Sequence, residues 1–219
     1  MLKDFLKDYG VLLTSSMTFL ATLVALFKDW IISKIFSPKL NVYEDCGFIA
    51  NETGIESDDA KKEIDNYTYE IKIKNCGKGI CKDVQLYLES IQLKSENDAK
   101  FHNIDLENLS PLQNKSKSQI VNLPEFGRPI SYELIRILNP NNTNSGVTCG
   151  DDRKAQLKIG NFFVPSDEIG GEYKIIFCVY SENAKMQKFF LNLNWKGVWE
   201  NNKDKFLTNR VNISLEIIK

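Results

Sequence analysis

The pattern of apolar and polar positions changes once along this chain, at Pro38. Before it, residues 9–27 read YGVLLTSSMTFLATLVALF, nineteen positions without a charge between Asp8 and Lys28. At about 1.5 Å of rise per residue, a helix over that run nearly covers a hydrocarbon core of roughly 30 Å. After Pro38 the period is that of strands. In residues 67–74 the odd positions Tyr67, Tyr69, Ile71 and Ile73 are apolar and the even ones polar. Val84, Leu86 and Leu88 repeat the alternation, as do Phe189, Leu191, Leu193 and Trp195, and then Val211, Ile213, Leu215 and Ile217. Residues 173–180, YKIIFCVY, are apolar on both faces and predict a central strand. Further strands are expected over 39–49, 118–123, 130–138 and 155–164. Clusters of Gly, Asn, Pro and Asp, such as 139–144 and Gly170-Gly171, separate them. Eight or nine strands with no evident helix after Pro38 predict an all-β antiparallel sandwich or barrel over 39–219, preceded by a helical segment over 1–38. The acidic stretch Glu52–Asp65 is expected to be an exposed loop. Residues 94–117 are polar enough for a long connection, with room for a short helix.

Three identities compete for residues 9–27. A cleaved signal peptide wants a shorter apolar region, a small-x-small cleavage site and a basic head, whereas this chain offers Leu23-Val24-Ala25 and the acids Asp4 and Asp8. A buried soluble helix needs a groove that an all-β domain does not obviously provide. A membrane anchor fits length and composition. Past Lys28, Trp30 and Phe36 suit the headgroup level, with Lys28 and Lys34 reaching phosphates, and Pro38 blocks a longer helix. Lys3 and Lys7 precede the run while Lys28, Lys34 and Lys39 follow it, which favours a cytoplasmic β-domain on a single-pass inner-membrane protein. Projected at about 100° per residue, Gly10, Thr14, Thr18, Ala21, Thr22 and Ala25 share about one third of the helix surface. Small residues spaced by four let helices approach closely in a bilayer, so this stripe is a candidate for homo-oligomerisation. The competing reading has the threonines bonding their own preceding turn.

Composition narrows the chemistry. Lys plus Arg number 28 against 29 Asp plus Glu, so no basic field draws in nucleic acid, and direct nucleic-acid binding is not expected. A single histidine, His102 in a polar run, disfavours His-based metal sites and catalytic triads. Cys46, Cys76, Cys81, Cys149 and Cys178 form an odd set without zinc spacing. They are read as thiols in a reducing compartment, with a Cys76–Cys81 disulfide as the alternative in an outward-facing domain. Six Asn-x-Ser/Thr sequons arise readily in so asparagine-rich a chain and are discounted. Asp151-Asp152 and Asp58-Asp59 are acids in turns without further ligands, and no phosphate loop, nucleophile elbow or kinase signature appears. No cofactor and no catalytic residue is expected. Trp195 and Trp199, flanking Gly197 at a strand end, either fill a core corner or form a platform for a partner or ligand, with Lys196 and Arg210 assisting an anion.

One segment is more specific. Residues 71–88, IKIKNCGKGICKDVQLYL, place Asn75, Gly77, Gly79, Cys81 and Val84 between two alternating strands. Asn75 can bond its own backbone at the strand exit, and the glycines supply positive φ. The segment resembles the N-x-G-x-x-x-A-x-x-V signature of bacterial immunoglobulin-like domains of the CARDB type, with cysteine in place of alanine. The chain is also similar to uncharacterised bacterial single-pass membrane proteins that carry a juxtamembrane P-x-L, here Pro38-Lys39-Leu40, before such a sandwich. Ser181-Glu182-Asn183-Ala184 and Trp195-Lys196-Gly197-Val198-Trp199 fit that likeness. The resemblance implies an antiparallel immunoglobulin-like β-sandwich behind one transmembrane helix, and it implies no activity. The leading expectation is a membrane-anchored, non-enzymatic β-sandwich that recruits or senses a partner, protein or nucleotide, at the cytoplasmic face of a bacterial membrane. The alternative is a membrane effector of anti-phage defence, whose β-domain senses a nucleotide or phage signal and whose helices oligomerise to disturb the bilayer. An outward-facing adhesion module is a third reading.

Overall fold

A helix of 34 residues, α1 (Leu2–Ile35), comes first and stops three residues before Pro38, whose ring cannot continue it. The computed structural model describes residues 2–35, 37–53, 63–95, 98–106, 110–140, 155–165 and 170–218, and within α1 the side chains at Tyr9, 14–28, Trp30 and Ile32. Among the described residues no helix is long and apolar enough to cross a membrane, so the structure lends the predicted span at 9–27 no support of its own. The described side chains of α1 are almost all exposed, among them Met17, Phe19, Leu20, Leu26 and Trp30.

The rest is two antiparallel sheets sharing one core. The first holds β1 (Leu40–Thr53), β2 (Glu63–Asn75), β6 (Ile130–Leu138), β7 (Gln156–Ile159) and β8 (Phe162–Phe163), in the order β1-β2-β6-β7-β8. The second runs β11 (Val211–Ile217), β10 (Gln187–Trp195), β9 (Gly171–Tyr180), β3 (Cys81–Lys94) and β4 (His102–Ile104), with β5 (Val121–Leu123) paired to the start of β3. The alternating residues supply the core: Tyr67, Tyr69, Ile71 and Ile73 of β2 face Phe177, Phe189, Leu191 and Leu193 across the interior. As expected, β9 is internal, between β3 and β10. In β3 the buried set shifts phase, from Val84, Leu86 and Leu88 to Ile91 and Leu93, because a bulge between Leu88 and Ser90 returns the strand to register. The acidic residues 54–62, with Asp58-Asp59, and residues 141–154, with Cys149 and Asp151-Asp152, lie outside the described residues.

No helix was expected over 203–209, yet α2 (Lys203–Asn209) forms there. Asn202 caps it by accepting from the Lys205 N–H at 3.0 Å, and Phe206 is its single buried side chain. Phe206 stacks on Tyr67 at 3.8 Å with an interplanar angle of 3° and closes one end of the sandwich.

The other end carries the helix exit. Asn75, 1% exposed, accepts from the N–H groups of Lys39 (3.1 Å) and Gly77 (3.0 Å) and donates to the carbonyls of Gly79 (2.7 Å) and Leu123 (3.2 Å). The Cys76 N–H donates to the Lys39 carbonyl at 2.7 Å. At Gly77 a Cβ would stand 2.3 Å from Lys39 N and 2.5 Å from Ser37 O, so a side chain has no room there. The Asn-x-Gly and Pro-x-Leu motifs are therefore two halves of one clamp that fastens the segment after α1 to the sandwich. The Ser181–Ala184 loop adds to it: Asn183 accepts from the Lys82 N–H (2.9 Å) and donates to the Ile80 carbonyl (2.8 Å). Cys81, buried, contacts the Ser181 hydroxyl at 3.0 Å. Cys46, Cys76, Cys81 and Cys178 are free thiols, so Cys76 and Cys81 form no disulfide.

Candidate functional site

The outward face of β2 should be solvated, because its polar residues alternate with a buried row. Two of them are not: Thr68 is 2% and Glu70 4% exposed. Two walls, both held against β6, line the space beside them. One is the connection 112–118, held against β6 by Lys115 N–H donating to Ser131 O (3.1 Å) and closed by Ser118 N–H on Asn114 Oδ1 (3.0 Å). The other is the β7–β8 turn, where Gly160 at φ +58° donates to Leu134 O at 2.7 Å. A Cβ at Gly160 would meet Leu112 Cδ2 at 2.9 Å, so glycine there lets the two walls meet.

These walls and side chains of β1, β2 and β6 line a groove of about 500 Å³, mostly polar. Asn51 donates across it to Asn66 (2.7 Å) and Thr68 (3.2 Å). Lys115 Nζ stands 2.6 Å from Glu70 Oε2, an ion pair without hydrogen-bond alignment, since that oxygen has no hydrogen-bond partner. Arg136 pairs with Glu133 through Nη2, while its Nε is buried and lacks a partner. Lys158 lines the same groove, with Nζ 5.5 Å from the Phe163 ring centroid. Three cations thus face two carboxylates, with one unused guanidinium donor. A buried donor of this kind is costly to leave unpaired. The groove holds donors and acceptors, with no histidine, serine or cysteine among its lining residues. Among the described residues no group of three or more His, Cys, Asp and Glu converges as for a metal ion.

The residues singled out from the sequence fall elsewhere. Trp195, fully buried, belongs to the core and offers no surface. Trp199 is half-buried, 5.1 Å from the Tyr67 ring, and its indole N–H donates to Asn201 at 2.6 Å. Lys196 and Arg210 are brought together by the Lys196 N–H on the Arg210 carbonyl (3.1 Å). These four residues therefore share one end of the sandwich, with Lys196 exposed and the Arg210 Nε buried without a hydrogen-bond partner. On α1, Thr18 donates to the Thr14 carbonyl and Thr22 to the Thr18 carbonyl, both at 2.8 Å. Their hydroxyl protons serve their own helix. Ala21 and Ala25 are exposed, as are Lys28 and Trp30, while the side chains of Gly10, Lys34 and Phe36 lie outside the described residues. Sequence reasoning did not find the groove. Thr68 and Glu70 occupy ordinary solvent-facing positions in the alternation, and the partner that Glu70 meets, Lys115, comes 45 residues later.

No protein-family model matches this chain, and no curated protein matches it.

Proposed function

We propose that the protein is a membrane-tethered, non-enzymatic recognition domain that captures a polar, anion-bearing ligand in the groove of the five-stranded sheet, at the cytoplasmic face of a bacterial membrane. The observation that carries the ligand class is the buried, unpartnered Nε of Arg136 beside Lys115 and Lys158. The tether is supported by the uncharged run 9–27 and by the exposed apolar side chains of α1. The cytoplasmic placement is supported by the basic residues after the run and by the free thiols. A relationship to CARDB-type immunoglobulin-like sandwiches is supported by the turn that Asn75, Gly77 and Cys81 build between β2 and β3. Tethering raises the local concentration of the domain, so modest affinity for a ligand or partner suffices.

The test is ligand-induced thermal stabilisation of the full chain in detergent, using inorganic phosphate, nucleoside monophosphates and cyclic dinucleotides as probes. At a hundredfold excess over Kd a true ligand stabilises by about 2.7 kcal/mol. Arg136→Ala should weaken binding roughly 10- to 100-fold, the worth of a hydrogen bond to a charged group. Stabilisation by none of the probes, or stabilisation unchanged in Arg136→Ala and Lys115→Ala, refutes the assignment.

The defence-effector reading adds oligomerisation through the stripe from Gly10 to Ala25. With the Thr18 and Thr22 hydroxyl protons engaged within the helix, close packing at Ala21 and Ala25 is what remains to drive it. Ala21→Leu with Ala25→Leu should abolish a crosslinked oligomer in membranes, and unchanged crosslinking removes that reading.

A further inference from the structure

We propose that the end of the sandwich from which α1 departs is a lipid-contacting face, with Phe126 and Ile80 entering the headgroup layer of the bilayer that holds the helix. This rests on the tether reading above. The strand directions bring the segment 37–39 and the loops 76–80, 124–129 and 181–186 to this one end, since Leu40 pairs with Asn75, Cys81 with Leu123, and Gln187 with Val179. The loops are bonded into one body: Gly79 N–H donates to Glu125 Oε2 (2.9 Å), Asn183 to the Ile80 carbonyl (2.8 Å), and Asn75 to the Leu123 carbonyl (3.2 Å).

Phe126 is 74% exposed and Ile80 53%, with Met186 beside them in the third loop, a costly display for tips that water alone would cover. Phe126 also sits at φ +53°, a left-handed conformation that bulky side chains avoid. The turn enforces it: Gly127 N–H closes on the Pro124 carbonyl at 3.1 Å, and a Cβ at Gly127 would stand 2.5 Å from Pro124 Cγ. The aromatic ring is thus held outward at the tip by a rigid turn. Around it, Lys39, Lys78, Lys82, Arg128 and Lys185 outnumber Asp83, Glu125 and Glu182, although the whole chain is net −1. Apolar tips ringed by cations suit an interface with anionic headgroups.

Chain connectivity supplies the occupant. Ser37 follows Ile35 by two positions, at most about 7 Å of chain, and lies against Gly77 in the first of these loops. Trp30, exposed on α1, marks the interfacial level only about 7.5 Å of helix before Ile35. A helix leaning within the ordinary range of about 0–40° brings the loops down onto the headgroups.

The experiment reconstitutes the full chain in vesicles that contain anionic lipid and carry bromine at shallow acyl positions. The unsubstituted chain reports on Trp30. The double variant Trp30→Phe, Phe126→Trp reports on the loop, over a background from Trp195 and Trp199 at the far end. The proposal predicts blue-shifted emission from the new tryptophan, loss of most of that emission to shallow bromine, and reversal of both when Lys78→Glu and Lys185→Glu are added. Water-like, unquenched emission at 126 while Trp30 is quenched overturns the docking face and leaves the tether standing. Emission at both positions indifferent to bromine overturns the tether and this proposal with it.

Discussion

Replacing Asn75 by alanine removes the centre of the clamp between the helix exit and the sandwich. The side chain makes four hydrogen bonds, to Lys39, Gly77, Gly79 and Leu123, and is 1% exposed. Each is worth about 1 kcal/mol net, and a partner left buried and unpaired costs about 1–3 kcal/mol. The Leu123 contact is fully buried, whereas Lys39, Gly77 and Gly79 lie near enough to solvent for water to replace part of what is lost. The expected destabilisation is about 2–4 kcal/mol. At about 2–4 °C per kcal/mol for a domain of this size, Tm should fall by roughly 5–15 °C. Near-ultraviolet circular dichroism, which follows the packed Trp195 and the buried tyrosines, is the assay, with the full chain in detergent. Asn75→Asp keeps the acceptor for Lys39 and Gly77, but it loses both donated bonds and introduces a charge, so it should be no milder than alanine. A Tm within about 2 °C of the parent for Asn75→Ala would refute the reasoning.

Gly77→Ala acts on the same joint through space alone, because its Cβ would stand 2.3 Å from Lys39 N. Limited proteolysis should cut between residues 36 and 40 faster in this variant, and an unchanged rate would show that the strand entry is not held by the loop. Cys178, 1% exposed and donating to Glu89 Oε2 at 2.5 Å, has its pKa pushed from an ordinary 9.0 up to about 12, first by burial and then by the Glu89 carboxylate. Because the folded value is the higher one, this contribution is complete below pH 9 and is lost as pH rises towards 12. Chemical denaturation between pH 8 and 9, before the buried Tyr67, Tyr69 and Tyr132 begin to ionise in the unfolded chain, should show stability falling by at most about 1.4 kcal/mol per pH unit from this thiol. Cys178→Ala should flatten that slope, leaving the part due to Cys81, which burial also raises, and an unaltered slope would contradict it.

Where one side chain's environment is set by its own strand, the sequence was sufficient to place it. Tyr67 to Ile73 and Phe189 to Trp195 alternate without interruption, and the structure buries the apolar members of both rows. The same alternation assigns Trp195 to the core, in phase with Leu191 and Leu193. Two things escaped. Helix α2 has only two apolar residues, the adjacent Phe206 and Leu207, so it carries no periodic stripe; Asn202 followed by an acid two positions later is its local signal. The groove has no local signal at all. Glu70 is met by Lys115 from the connection 112–118, and Thr68 is bonded by Asn51 of β1, while the slip in β6 beside Glu70 is a bulge set by tertiary pairing.

The claim on which most depends is that α1 holds this domain to a membrane. The direct measurement is alkaline carbonate extraction of bacterial membranes expressing the full chain. The account predicts that the protein stays in the membrane pellet and that Leu20→Arg with Val24→Arg releases it, since each central arginine costs about 2.5–3.5 kcal/mol of insertion. Release of the unsubstituted chain into the supernatant would contradict the tether, and with it the lipid-facing end.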